Sequence, residues 1–442
     1  MLILVVVLVA AGVVVGVVRI DRPLASPTLT ASLPASLVVP GATGSLPWPS
    51  TGQGAVSVPA LGFAAQSGAE PSVPIASLTK MTNALVVLED HPVAPGASGP
   101  SIVITAGDVV EYDAETHEDQ STVPIQVGEV LTERQMLEAM LTQSANDIAY
   151  SLAVWDAGST GAFVAKMNAK AATLGMTGTH FVDVSGYDPG SVSTASDCLR
   201  VAAAAMAVPT FAEVVSMSSV TLPLVGTVPN IVTEIGSNGV IGIKSGYTSE
   251  AKACMVLAAM RSIDGQNVLV LAAVLGQPVP AAIVPATTTT TTTAPPAPGA
   301  TTTAPTAAPT TTTTTTPDDD LEVPDVFRYT GPVIMALLDA AVAAVTSVPV
   351  ARAGQSMGEV TAVWGGEPHR VEVVAGRSAS LVGWPGQTVA TRTRVRPVPA
   401  GGRPGLRVGT VSFALGEQSE AVPLRLAAGV PQPSWWWRLV HH

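Results

Sequence analysis

Residues 286–317 are almost wholly Thr, Ala and Pro, and a tract of that composition cannot build a core. It offers too little apolar surface to offset the entropy of ordering the chain. The tract therefore partitions the sequence, and whatever folds must be assembled from the residues on either side. Its composition predicts a disordered spacer of the kind often O-glycosylated outside the cell, closed by Asp318-Asp319-Asp320.

The N-terminus sets a second limit. Residues 1–18, MLILVVVLVAAGVVVGVV, are uninterrupted hydrophobics, long enough for a membrane span and longer than the core of a cleaved signal. Arg19 and Arg22 follow the run and no basic residue precedes it. The positive-inside rule would then leave the bulk of the chain in the cytoplasm. The Thr/Pro tract argues for the outside instead, which requires a basic leader before this start or translocation that overrides two arginines. Residues 21–50 are rich in Pro, Ser, Thr and Ala and read as a tether.

The 442 residues allow about two or three domains. From residue 54 the pattern Ala55-Val56-Ser57-Val58, then Leu61 to Ala65, predicts two short strands around a Gly62 turn. Residues 77–88 read as a largely buried helix. Residues 101–130 read as short strands and acidic loops. Residues 131–156 carry helical periodicity, with Thr132 and Gln135 as a capping box and a break near Ser144. Further helices are expected over 162–174 and 196–206, and adjacent antiparallel strands over 241–244, 254–260 and 268–275. Past the Thr tract, 331–345 reads as a core helix that completes the first domain, so that 286–320 is a loop insertion within 51–347. Residues 348–428 alternate with Gly punctuation and predict a small β domain. The tail from 429 carries Trp435-Trp436-Trp437-Arg438, an aromatic and cationic cluster suited to a membrane interface or to docking on the protein itself.

Composition excludes several function classes. Net charge is −12 with no long basic block, which argues against a nucleic-acid partner. Six histidines and two cysteines show no metal-ligand spacing, so neither metal nor cofactor is expected. Cys198 and Cys254 read as two buried thiols, with a single disulfide as the alternative. Lysine is scarce: Lys80, Lys166, Lys170, Lys244 and Lys252 stand against sixteen arginines. Arginine cannot be deprotonated in a protein, whereas a desolvated lysine can. A chain that avoids lysine yet keeps Lys80 and Lys244 invites a base role for one of them.

Those two lysines sit in an ordered trio of motifs: Ser77-Leu78-Thr79-Lys80, Ser144-Ala145-Asn146 and Lys244-Ser245-Gly246, 67 and then 100 residues apart. Ser77 and Lys80 at i, i+3 share one face of a helix, near an N-terminus whose N–H groups favour developing negative charge. Each motif alone is weak, with a solvated loop or an exposed strand edge as the bland reading. Helix start, loop break and strand entry in this order describe a serine acyl-transferase that needs no histidine.

The stretch Ile75 to Asn83, the run Ser144-Ala145-Asn146-Asp147 and the run Ile243-Lys244-Ser245-Gly246-Tyr247-Thr248 resemble the serine D-alanyl-D-alanine carboxypeptidases, the low-molecular-weight penicillin-binding proteins. Phe181 to Gly186 and Ser193 to Asp197 resemble that family too. The likeness covers about residues 52–280 and, more loosely, 328–428. It implies an α+β fold, an antiparallel sheet flanked by helices, with a small C-terminal β domain. By that resemblance Ser77 is the nucleophile and Lys80 its base, with a pKa lowered by Lys244. Ser144 relays a proton to the leaving D-alanine and Asn146 orients Lys80 and the substrate amide. Lys244, Ser245 and Thr248 hold the terminal carboxylate, and the N–H groups of Ser77 and Tyr247 form the oxyanion hole. The implied partners are peptidoglycan stem peptides, β-lactams as covalent inhibitors, and a membrane through the N-terminal segment.

Two positions depart from the family pattern. Ser245 replaces the usual threonine and keeps its hydroxyl. Lys252 stands where glycine is typical, and a side chain there is expected to narrow the cleft or disturb strand packing. A class A β-lactamase shares the motifs but needs a deacylating glutamate. Between Asn146 and Lys244 only Glu213 and Glu234 occur, neither in the required pattern. A non-catalytic homologue that binds wall peptide or a protein partner is the rival of a different class.

Overall fold

The computed structural model describes residues 2–22, 24–41, 46–279, 326–364 and 367–441, so the Thr/Pro tract lies outside the described residues. At its centre is a five-stranded antiparallel sheet in the order Val240–Thr248, Lys252–Ile263, Gln266–Gln277, Gln53–Val58, Phe63–Gln66. The first three strands are adjacent as the sequence predicts. The turn between the last two is closed by Gly62 in the left-handed region, φ 59°.

The two long central strands are apolar over 253–260 and 268–275 because both faces of the sheet are covered there. Side chains alternate between faces along a strand. Cys254, Val256 and Ala258 pack with the helices on one side, whereas Met255, Leu257 and Ala259 pack on the other. The first side holds helices Thr79–Asp90 and Ala195–Met206 and, behind them, Glu133–Thr142, Asn146–Ala157 and Thr160–Thr173. The second side is covered by helix Thr330–Ala344, whose Ile334, Leu337, Leu338 and Ala341 are buried against it. This arrangement is α+β.

The Thr132/Gln135 capping box forms as read from the sequence. The acidic stretch expected to be loop instead contains the helix Ala106–His117. Its apolar stripe is thin, with only Val109 and Tyr112 packed on the core, so hydrophobic periodicity gave no signal. The local signal is a second capping box, Thr105 with Asp108. Cys198 and Cys254 are free and buried.

The C-terminal residues build a seven-stranded sheet, and here the tether reading needs correction. Thr28–Ala31 pairs with Ser356–Trp364 at one edge and Ser36–Val38 pairs with Thr388–Val395 at the other. The strands between are Glu367–Ala375, Gln418–Leu426 and Arg407–Leu415. Only residues 32–35 separate the two edge strands, a reach of no more than about 18 Å. The sheet must therefore roll until its two edge strands come near each other, joined by residues 32–35. Pro, Ser and Thr mask this role in composition, but Leu29, Leu33 and Leu37 pack on the domain core.

Helix Leu2–Asp21 is long and apolar enough to cross a membrane. The Trp tail forms helix Trp435–His441 beside its C-terminal end. Arg19 Nη1 donates to the Leu439 carbonyl at 3.3 Å and Arg438 Nη2 to the Arg22 carbonyl at 3.0 Å. Trp437 packs on the β domain, and Trp435 and Trp436 stay exposed.

Candidate active site

The chain enters the site through a single helical turn, Ala76–Leu78, that leads directly into helix Thr79–Asp90. Ala76 takes a left-handed φ of 48°, which turns the half-buried Ser77 out of the preceding strand. One turn later Lys80 lies over it. Its Nζ donates to Ser77 Oγ at 2.8 Å, to the Ser185 carbonyl at 3.2 Å and to Asn146 Oδ1. Lys80 has no exposed surface. Burial lowers its pKa to about 8, against the opposing pull of Asp183, Glu115 and Asp147. The leading cause is thus desolvation rather than the charge of Lys244 that sequence reasoning invoked. Lys244 is itself held well below the usual lysine range, by burial first and then by repulsion from Lys80.

The third motif reaches the nucleophile by its backbone. A Cβ on Gly246 would lie 2.7 Å from the Ser77 nitrogen and 3.2 Å from that of Leu78. Only glycine lets the sheet edge come this close. Lys244 Nζ donates to the Ser245 carbonyl at 2.9 Å. Ser245 pairs across the strands with Met255, on the face opposite Lys244, and its enclosed Oγ has no hydrogen-bond partner. Tyr247 is half-buried, and Thr248 Oγ1 accepts from the Ala251 N–H at 3.1 Å.

The second motif occupies the break between helices Glu133–Thr142 and Asn146–Ala157. Ser144 adopts φ 63° and is buried, and Asn146 opens the second helix. The structure thus bonds Ser77, Lys80 and Asn146 directly and couples Lys244 to Lys80 by charge. Among the described residues, Ser144, Ser245, Tyr247 and Thr248 make no side-chain hydrogen bond to this group. No cluster of possible metal ligands occurs among the described residues.

A family described as D-alanyl-D-alanine carboxypeptidase matches residues 65–278. The D-alanyl-D-alanine carboxypeptidase DacB2 of Mycobacterium tuberculosis is 40% identical over 175 residues, 38% of this chain and 59% of that protein. The D-alanyl-D-alanine carboxypeptidase of Streptomyces sp. strain K15 is 36% identical over 152 residues, 30% of this chain and 52% of that one. The chain therefore spans between half and three fifths of the length of these curated relatives. A crystal structure of a D-alanyl-D-alanine carboxypeptidase from Mycobacterium tuberculosis H37Rv aligns at 32% identity and TM-score 0.47, over 54% of this chain and 88% of that one. Residues 65–278, just under half of the chain, are thus similar to the D-alanyl-D-alanine carboxypeptidase family.

Several residues that the motifs do not name hold this site together. Asp183 accepts from Ser185 Oγ, from the N–H groups of Gly186 and Tyr187 at 2.8 and 2.9 Å, and from Ser191 Oγ. It thereby fixes the loop whose Ser185 carbonyl receives Lys80. Gln120 Oε1 accepts from Asn146 Nδ2 and so sets which amide atom faces Lys80. Glu115 and Asp147 are buried, each with one oxygen lacking a partner. Burial raises them to about 8 and about 7. Sequence alone gave no reason to select Glu115, because its helix was not anticipated.

Lys252 falls where the chain turns from one strand to the next, and it takes φ 59° with its side chain exposed. Glycine suits this position because of its backbone conformation. Lys252 pairs with Thr248 across the turn, and pairing with the next strand begins at Ala253.

Proposed function

We propose that this protein is a serine D-Ala-D-Ala carboxypeptidase that trims the terminal D-alanine of peptidoglycan stem peptides and is acylated by β-lactams. The observation that carries the reading is the contact of Lys80 Nζ with Ser77 Oγ at 2.8 Å, made by an amine whose pKa burial has brought to about 8. A base poised near working pH is what general-base catalysis requires. Ser77 Oγ attacks the carbonyl carbon between the two D-alanines and passes its proton to Lys80. The C–N bond then breaks, and a proton delivered through Ser144 leaves with the amine of D-alanine. Asn146 holds Lys80 in line through the whole sequence.

The close approach of Gly246 to the Ser77 nitrogen supports an oxyanion hole made from the N–H groups of Ser77 and Tyr247. Lys244, whose ammonium form an incoming carboxylate would favour, is assigned the substrate carboxylate together with Ser245 and Thr248. Water releases the acyl group and restores Ser77. Helix Leu2–Asp21 would hold the enzyme at the outer face of the cell membrane, or would be removed if the protein is secreted.

The test is covalent labelling by a fluorescent penicillin followed by mass spectrometry. The adduct is expected on Ser77 and is expected to vanish in Ser77→Ala. An adduct on Ser144, or no labelling of the folded wild type, overturns the reading in favour of a non-catalytic wall-binding homologue.

A further inference from the structure

Charge is unevenly placed along this chain. Residues 346–434 hold nine arginines and five glutamates with no lysine or aspartate, a net +4 in a chain of −12, so the remainder carries −16. Much of the positive charge lies on one outer face of the rolled β domain. In strand Thr388–Val395 the side chains of Val389, Thr391 and Thr393 turn inward, while Arg392 and Arg394 are exposed. The strand register sets Arg392 opposite Ser412 and Arg394 opposite Thr410. Arg396 continues the row, its N–H donating to the Val408 carbonyl at 2.8 Å. With Val395, Thr410 and Ser412 these three arginines line an open groove of about 620 Å³.

Four other arginines of this domain are occupied. Arg370 and Arg377 face Glu359 and Glu420, Arg407 donates to Thr410 Oγ1 at 2.7 Å, and Arg425 donates to the Gly405 carbonyl at 2.8 Å. Among the described residues, the guanidinium groups of Arg392, Arg394 and Arg396 have neither an ion pair nor a hydrogen bond. Three unpaired like charges in a row repel one another, and a ligand of opposite charge removes that cost.

We propose that this groove binds a linear phosphodiester polymer, one phosphate to each of Arg392, Arg394 and Arg396. A guanidinium presents a planar fork that matches phosphate oxygens bidentately, and a row built of arginine alone fits that role better than lysine would. Alternate residues of a strand stand roughly 7 Å apart, so an extended polyanion can meet each in turn. The hydroxyls of Thr410 and Ser412 supply further donors on the same face. The groove is concave and none of its lining residues is aromatic. Concavity disfavours a flat bilayer, and the lack of a stacking platform disfavours single-stranded nucleic acid. The inference is independent of the chemistry at Ser77.

Binding of the full-length protein to poly(glycerol phosphate) would be measured by calorimetry at 50 and 200 mM salt. Three phosphate contacts predict a salt slope of about −2, hence a loss of roughly twentyfold over that range. The triple variant Arg392→Gln/Arg394→Gln/Arg396→Gln is expected to bind at least tenfold more weakly, with Arg370→Gln as the unchanged control. Penicillin labelling of Ser77 or, failing that, the thermal melt would report that the triple variant is folded. Unaltered binding by a folded triple variant overturns the proposal, as does absence of binding by wild type at 50 mM salt. Equal or tighter binding to anionic phospholipid vesicles through the same arginines would assign the face to a membrane and overturn it too.

Discussion

The protonation state of Lys80 gives the sharpest prediction. An ordinary lysine at 10.5 is neutral in about 0.03% of molecules at pH 7, whereas one at about 8 is neutral in about 9%. Burial therefore raises the population of reactive base by roughly 300-fold at that pH. The acylation rate of wild type by a fluorescent penicillin, followed by stopped flow between pH 5.5 and 9.5, should climb about tenfold per pH unit at the acid end and level off near pH 8. Because Glu115 and Asp147 titrate in the same window, the midpoint belongs to the coupled group. Lys80→Arg keeps the charge but cannot accept the proton, so acylation should fall by about 10²–10⁴. Lys244→Arg keeps a cation for the carboxylate and should retain part of the activity. A rate flat from pH 6 to 9, or a midpoint near 10.5, refutes the assignment. So does a fast Lys80→Arg beside a dead Lys244→Arg.

Three further perturbations test the architecture around that pair. Gly246→Ala places a methyl group against the Ser77 nitrogen and should lower acylation on the order of 10²-fold, with an unchanged circular dichroism spectrum; wild-type rates would show that the two backbones are not in contact. Lys252→Gly relieves a left-handed φ and should stabilise the protein by about 1 kcal/mol in chemical denaturation, whereas a lower midpoint would show that the lysine side chain is needed. Glu115→Gln tests linkage. The native state keeps the Glu115 proton up to about pH 8, while the unfolded chain releases it near 4.5, so this carboxyl's contribution is full in acid and is lost as pH rises through 8. The amide escapes that loss, so the stability of the variant relative to wild type should grow from pH 5 to pH 9; a difference constant with pH refutes it.

What the sequence made legible follows from the period of its signals. The central strands and the buried helices carry long apolar patterns, and the motif residues Ser77, Lys80 and Asn146 meet as their spacing implies. Helix Ala106–His117 was illegible because its packing rests on two side chains, and Glu115 was hidden with it. The strands Thr28–Ala31 and Ser36–Val38 were illegible because a short edge strand needs few apolar residues and its composition resembles a linker. The leading cause of the low pKa at Lys80 was misjudged because burial is a property of the surrounding helices, whereas the second lysine could be seen in the sequence.

The placement of residues 28–38 at both edges of the rolled sheet also decides where force goes. A pull on helix Leu2–Asp21, once past its two hydrogen bonds with the tail helix, reaches strand Thr28–Ala31. There it meets a ladder of hydrogen bonds to Ser356–Trp364, and next the three-residue pairing of Ser36–Val38 with Thr388–Val395. The catalytic sheet begins only at Gln53, beyond both pairings. Under tension these two edge pairings should unzip while Ser77, Lys80 and Asn146 keep their spacing.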